Sequence, residues 1–170
     1  QHQDGSSHLI AATIPNCRAY DPCFAYELAV IVEYGIQRMY DEKHDEFFYI
    51  TLMNENYSHP SLPDGIADDI IRGMYRYDAL GESQAPCVRL LGSGTILKQV
   101  IEAAHLITEH FEVRCEIYSV TSFSELARDA QTAQRASRLT ITSTRSQIAK
   151  YLDGGDPIVC ATDYVRSVPS

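Results

Sequence analysis

From Cys87 onward, strand-type runs alternate with amphipathic helical stretches, and that alternation limits the chain to very few folds. Val88-Arg89-Leu90-Leu91 reads as a strand, Gly92-Ser93-Gly94 as a tight turn, and Thr95–His110 as a helix carrying Ile96, Val100, Ala103, Ala104 and Ile107 on one side. Val113–Val120 is the next strand. Ser122-Phe123-Ser124-Glu125 has the form of a capping box and opens a helix lasting to about Arg135. Gln147–Leu152 reads as a further helix ended by Gly154-Gly155, and Pro157–Thr162 as a third strand. Strands separated by helices pair in parallel through crossover connections, so this part predicts a doubly wound α/β sheet.

The upstream part is organised differently. A short strand is expected over Leu9–Ile14 within otherwise irregular chain. Asp21-Pro22 suits a helix start, with Asp21 as cap and Pro22 at the first helical position. Phe24, Leu28, Ile31, Val32, Ile36 and Met39 give an apolar stripe, so the helix is predicted over Pro22–Tyr40. Phe47–Leu52 is aromatic and β-branched and reads as a strand. His59-Pro60 and Leu62-Pro63 then disfavour regular structure, and Ala67–Tyr75 is read as a short helix. The predicted division is a first unit over residues 1–62, a linker over 63–86 and a second unit over 87–170.

A net charge of −9 over 170 residues argues against a nucleic-acid binder. No apolar run approaches the ~20 residues that cross a bilayer. The five cysteines lack close spacing, which excludes a zinc knuckle and reads as buried thiols, Cys87, Cys115 and Cys160 among them, in a reducing compartment, the cytoplasm. The chain opens at Gln1 without methionine or a basic leader and ends at Ser170 just after a strand-like run, so it reads as a piece of a longer protein.

Two stretches are candidates for chemistry. Gly92-Ser93-Gly94 lies between strand and helix, where a phosphate meets helix amides. The third glycine of a dinucleotide fingerprint would fall at Leu97, so a tight turn is the plainer reading. Gln1-His2-Gln3-Asp4-Gly5-Ser6-Ser7-His8 packs two imidazoles, a carboxylate and two hydroxyls into eight residues. A frayed polar terminus and a site loop are both open on composition alone. His105 and His110 are five apart on one helix, a poor metal-ligand spacing, and His44 and His59 read as solvated turn and loop residues. Tyrosines around the first helix (Tyr20, Tyr26, Tyr34, Tyr40) suit either core or a subunit interface.

Several runs, in order along nearly the whole chain, resemble the homodimeric bacterial-type pyruvate dehydrogenases, the thiamin-diphosphate-dependent decarboxylases. They are the opening polar run, Thr13-Ile14-Pro15-Asn16-Cys17, Tyr20-Asp21-Pro22, Asn54-Glu55-Asn56-Tyr57, Leu90-Leu91-Gly92-Ser93-Gly94, Tyr118–Phe123, Glu125–Asp129 and Ala161–Tyr164. The resemblance implies an α/β chain: a thiamin-diphosphate-binding-fold remnant, the end of the pyrimidine-binding domain, followed by a truncated transketolase C-terminal-like three-layer α/β/α domain with a mostly parallel sheet. It implies decarboxylation of pyruvate and transfer of the acetyl group to the lipoyl group of dihydrolipoyl acetyltransferase, in a homodimer. Its lipoyl and subunit-binding domains are the implied partners. Substrate-facing catalytic roles fall on His8 and Asp4, and more weakly on His2, with no metal ligand in the chain. Thiamin diphosphate and Mg2+ would be held mainly by residues outside these 170, since no Gly-Asp-Gly motif occurs here, so the chain alone is expected to be inactive. Gln3 stands where the family usually has Glu, and residues 130–145 depart from its pattern. A transketolase-like enzyme acting on sugars and a non-catalytic α/β interaction module are the alternatives.

Overall fold

The structure, a computed structural model, describes residues 4–139 and 144–170. It holds two sheets. The smaller pairs β1 (Cys17–Tyr20) in parallel with β2 (Phe47–Ile50). The larger has the order β3-β5-β4-β6, formed by β3 (Met74–Leu80), β4 (Cys87–Gly92), β5 (Arg114–Val120) and β6 (Ile158–Ala161). β4 runs parallel to both β5 and β6, and only β3 is antiparallel. The mixed α/β fold with a mostly parallel sheet is therefore as the alternation predicts. Among the described residues no helix is long and apolar enough to cross a membrane.

The larger sheet is covered on both faces, and the period of two along its strands decides which residue goes where. Tyr75, Leu90, Cys115 and Ile117 point to one face. There they meet Leu97, Val100 and Ala104 of α4 (Ile96–Phe111) and Tyr26 and Ile31 of α2 (Ala25–Ile36). Met74, Leu91, Tyr118 and Val120 point to the other. Their cover is Phe123 and Leu126 of α5 (Phe123–Leu139) with Tyr151 and Leu152 of α6 (Gln147–Leu152).

Several local expectations are corrected. Leu9–Ile14 is not a strand: α1 spans Ser7–Ala12, because the Asp4 carboxylate accepts the amides of Ser7 (2.9 Å) and Ser6 (3.3 Å) and starts a helical turn. Asp21 does not cap α2. Glu27, inside the helix, folds back to accept the amides of Cys23 (2.5 Å) and Phe24 (2.9 Å), and a π-helical turn over Gln37–Asp41 follows Ile36. The buried face of α2 carries Glu27, Ile31 and Gly35, while Val32 and Ile36 of the expected stripe are exposed. The stretch read as linker contributes α3 (Ala67–Ile71) and the edge strand β3. The turn between them needs Gly73, at φ +101°, where a Cβ would lie 2.4 Å from the Ser122 carbonyl oxygen. Cys160 is exposed on edge strand β6 and Cys87 is half-buried, so of the three only Cys115 is a core thiol. The Ser122 capping box forms by half. Ser122 Oγ accepts the Glu125 amide at 3.1 Å, but the Glu125 carboxylate is taken by Arg18 (2.5 Å) and Arg128 (3.0 Å).

Polar side chains stitch the two sheets together. Glu27 is wholly buried; its Oε2 holds the two amides of its own helix start, and its Oε1 accepts the hydroxyls of Tyr75 on β3 and Ser119 on β5, both at 2.6 Å. Tyr26 extends the chain through its hydroxyl to Tyr75. Burial pushes the Glu27 carboxyl above the ordinary range, against the pull of its four donors. On the other face Arg128 of α5 donates to the carbonyls of Cys17 (2.8 Å) and Ile14 (3.2 Å). Glu27→Ala orphans two buried amides at ~1–3 kcal/mol each, so urea unfolding is expected to show a loss of about 3 kcal/mol or more. Arg128→Ala is expected to cost about 1–2 kcal/mol and lower the melting temperature, because it frees two carbonyl acceptors at the start of β1.

Candidate active site

The site forms where the C-terminal end of β1 meets the C-terminal ends of β4 and β5. Asp21 follows β1 directly. Its amide donates to the Thr121 carbonyl (2.8 Å) and its carbonyl accepts the Gly94 amide (3.0 Å), so its backbone is clamped at two points to the second part of the molecule. Its carboxylate lies against the Gly92-Ser93-Gly94 turn: a Cβ on Gly94 would come within 2.6 Å of Asp21 Oδ2, and Gly94 itself sits at φ +49°. The turn thus needs glycine to receive a carboxylate from its own chain. The Ser93 and Gly94 amides are taken by the carbonyls of Ala161 (3.4 Å) and Asp21 (3.0 Å), and a carboxylate already lies against the turn, which leaves its phosphate reading without support.

A cavity of about 750 Å³ opens at this junction. Asp4 and Gly5, then Asp21 and Thr51, contribute from the first part of the chain; Ser93, Gly94 and Thr95 ahead of α4, and Asp163 and Tyr164 after β6, contribute from the second. Three carboxylates and no lysine or arginine line it among the described residues. A wall of that charge does not fit a diphosphate group, so no step of the chemistry is derived through the cofactor that the resemblance implies. No group of three or more His, Cys, Asp or Glu capable of holding a metal ion occurs among the described residues.

Asp4 and His8 both come to this region, while His2 lies outside the described residues. Asp4 is on the wall, held by Ser6 and Ser7, and the Ser7 hydroxyl chiefly keeps its carboxyl below the ordinary value. His8 stands one side chain behind the wall. It is 7% exposed, packed between the rings of Tyr164 (centroids 4.5 Å apart) and Tyr49 (5.5 Å). Its Nε2 meets Thr51 Oγ1 at 2.8 Å, and Thr51 Oγ1 lies 2.7 Å from Asp21 Oδ1. The Tyr164 hydroxyl reaches Thr51 Oγ1 at 3.0 Å. Burial lowers the His8 pKa to about 4, with Asp4 opposing, so the imidazole is neutral at pH 7. Burial likewise raises Asp21 to about 6, the hydroxyls of Thr51, Ser93 and Tyr164 pulling it back down.

Sequence reasoning missed Asp21, Thr51 and Tyr164 as site residues. Asp21 was spent on a helix cap, Thr51 on a strand, and Tyr164 stood only in a matching run. The available signal was that Thr51 and Asp21 each sit just past a strand end, where open α/β sheets place their sites. His44 is exposed beside Glu42 (3.1 Å), and His59 accepts the Ala25 amide (3.1 Å); neither reaches the cavity.

A raised carboxyl pKa means that the folded protein binds the proton more tightly than the unfolded chain. Asp21 therefore favours folding fully below pH about 4, and that contribution is lost as pH rises towards about 6. Asp21→Asn is accordingly expected to raise stability at pH 8 by up to about 3 kcal/mol, a gap that closes at pH 4. Urea midpoints of both proteins at the two pH values check this.

Comparison with known proteins agrees with this architecture. Residues 1–60 match the family Pyruvate dehydrogenase E1 component middle domain, and residues 73–169 match the Transketolase-like TK C-terminal domain. Curated relatives named Pyruvate dehydrogenase E1 component include those of Cupriavidus necator (46% identical over 171 residues), Pseudomonas aeruginosa (47% over 169) and Escherichia coli strain K12 (44% over 168). Each alignment covers 98% of this chain and 19% of the relative, so the chain spans about a fifth of their length. Among solved structures, a transketolase from Leishmania mexicana has a TM-score of 0.64 at 16% identity, covering 96% of this chain and 21% of that one. One from Pichia stipitis gives 0.62 at 14% identity, covering 94% and 20%; both are likenesses of fold. The chain belongs to the transketolase-like C-terminal domain family, and nearly its whole length is homologous to the pyruvate dehydrogenase E1 components.

Proposed function

We propose that this chain is part of a pyruvate dehydrogenase of the thiamin-diphosphate-dependent, acetyl-transferring kind. The intact cytoplasmic homodimer decarboxylates pyruvate and passes the acetyl group to the lipoyl group of dihydrolipoyl acetyltransferase, whose lipoyl and subunit-binding domains are its partners. The observation that carries the reading is the 46% identity to a relative of that name over 98% of the chain, a span that includes both sides of the cavity. Thiamin diphosphate and Mg2+ belong to the intact enzyme and are held mainly by residues outside this chain. The absence of Gly-Asp-Gly from the sequence and the lack of lysine or arginine on the cavity wall among the described residues both support that division.

Within this reading the chain supplies the substrate-facing wall. Asp4 presents a carboxylate fixed by Ser6 and Ser7, and a weaker substrate-facing role falls to His2 by the family resemblance. His8 works as a neutral imidazole, which holds or hands over one proton and does not act as a fixed cation. Its Nε2 is committed to Thr51, so contact with the reacting molecule falls to Nδ1. The exposed apolar residues Val32, Ile36 and Tyr40, spaced four apart, support assembly into a dimer. Residues 63–86 join the two units in this reading, as chain that carries α3 and β3.

In the intact enzyme, His8→Asn is expected to lower pyruvate-dependent acetylation of a lipoyl domain by about 10²–10⁴-fold per folded enzyme, a loss beyond what the missing buried ring costs in stability. An unchanged rate would refute the role. The 170-residue chain supplied with thiamin diphosphate and Mg2+ is expected to release no carbon dioxide from pyruvate. Turnover by the chain alone would overturn the shared-site reading.

A further inference from the structure

His8, Thr51 and Asp21 form a line of hydrogen bonds, 2.8 Å from Nε2 to Oγ1 and 2.7 Å from Oγ1 to Oδ1, both shorter than the 3.4 Å from Oγ1 to the Tyr20 carbonyl and the 3.5 Å from the Tyr164 hydroxyl to Asp21 Oδ1. Tyr164 adds its hydroxyl to the same Oγ1 at 3.0 Å. We propose that Thr51 and Asp21 are positioning residues that determine which ring nitrogen of His8 carries its proton. The inference rests on the proposed function only in taking His8 as the group that meets substrate.

The argument is a proton count. A threonine hydroxyl has one hydrogen to give and two lone pairs to receive with. When Asp21 is ionised it accepts only, so the Thr51 hydrogen goes to Asp21 Oδ1. Thr51 Oγ1 must then receive from both other neighbours, the Tyr164 hydroxyl and His8 Nε2–H. His8 is held as the Nε2–H tautomer, and its Nδ1 is an acceptor. When Asp21 carries a proton it can donate to Oγ1, and the Thr51 hydrogen turns towards His8. Nε2 becomes the acceptor, the ring proton moves to Nδ1, and the imidazole presents a donor. Both arrangements satisfy every partner in the line, so the line is two-state and the Asp21 proton selects the state.

The surroundings put that choice in a useful range. Asp21 faces the hydroxyls of Thr51, Ser93 and Tyr164 and the carboxylate of Asp163, with burial as the largest influence, and its pKa rises to about 6. His8 faces Asp4 and the rings of Tyr49 and Tyr164 and stays neutral down to about pH 4. Between those values both groups are neutral, the condition the reversed line requires. Above about 6 the forward line holds.

The test is nitrogen-15 NMR of histidine-labelled protein, in which protonated and unprotonated ring nitrogens are distinguished directly. At pH 8 we expect His8 in the Nε2–H form with a bias of roughly tenfold over its alternative, and a shift towards Nδ1–H as pH falls from 8 to 5. Thr51→Val is expected to remove both the bias and the pH response, and Thr51→Ser to restore them. Asp21→Asn should abolish the pH response between 8 and 5, since the amide does not titrate. Should Thr51→Val fail to fold, Asp21→Asn and Thr51→Ser carry the test on their own. A His8 tautomer unmoved by pH in the wild type, or unchanged in Thr51→Val, overturns the proposal. Failure of the two readings is separable. A responsive tautomer with undiminished turnover in His8→Asn sinks the catalytic assignment and leaves the positioning intact, while the reverse pattern sinks the positioning alone.

Discussion

The buried carboxylate of Glu27 is the contact on which the rest of the arrangement depends. It replaces the cap that α2 lacks, and with the same group it takes hydroxyls from two neighbouring strands of the larger sheet. Tyr75 and Ser119 are register partners across β3 and β5, so one carboxylate reads the pairing of that sheet and sets α2 against it. A charge in such a place is tolerable only when every lone pair is used, because an uncompensated buried carboxylate is far more costly than its hydrogen bonds are favourable.

With α2 fixed, β1 is fixed as well, and the site follows from where β1 ends. Asp21 is tethered by its backbone to Thr121 at the end of β5 and to Gly94 beyond β4. Ser122 Oγ, bonded to the Ala19 carbonyl at 2.6 Å, and Arg18, paired with Glu125, repeat the same seam one residue deeper. The cavity is thus a joint property of two sheets. Its acidity comes from residues far apart in sequence, Asp4, Asp21 and Asp163. Burial, more than the neighbouring carboxylate of Asp163, is what raises the Asp21 carboxyl to about 6.

Some elements were legible before any coordinates. The Gln147–Leu152 helix appears with the bounds expected, and β4, α4, β5 and β6 fall within two residues of theirs, since each has a clear period and a clear stop. The errors have physical causes. Leu9–Ile14 is β-branched enough to suggest a strand, but a carboxylate three residues ahead of Ser7 supplies the amide acceptors that start a helix. β3 was lost because Arg76 and Asp78 break its apolar run, as they do on an edge strand with one side towards water. Glu27 lies off the apolar stripe expected of α2, and nothing local announces that its carboxylate is enclosed.

The sequence by itself determined the class of fold, the parallel character of the second sheet and, through ordered runs of residues, the family. Those properties depend on short-range periodicity and on composition, which are complete in the linear chain. Only the tertiary structure decided that Asp21 leaves its helix to face the glycine turn, that Thr51 stands between it and His8, and that three distant carboxylates share one cavity. These depend on which side chains lose water together, and that is set by the docking of β1 against the ends of β4 and β5, a long-range event with no local signal.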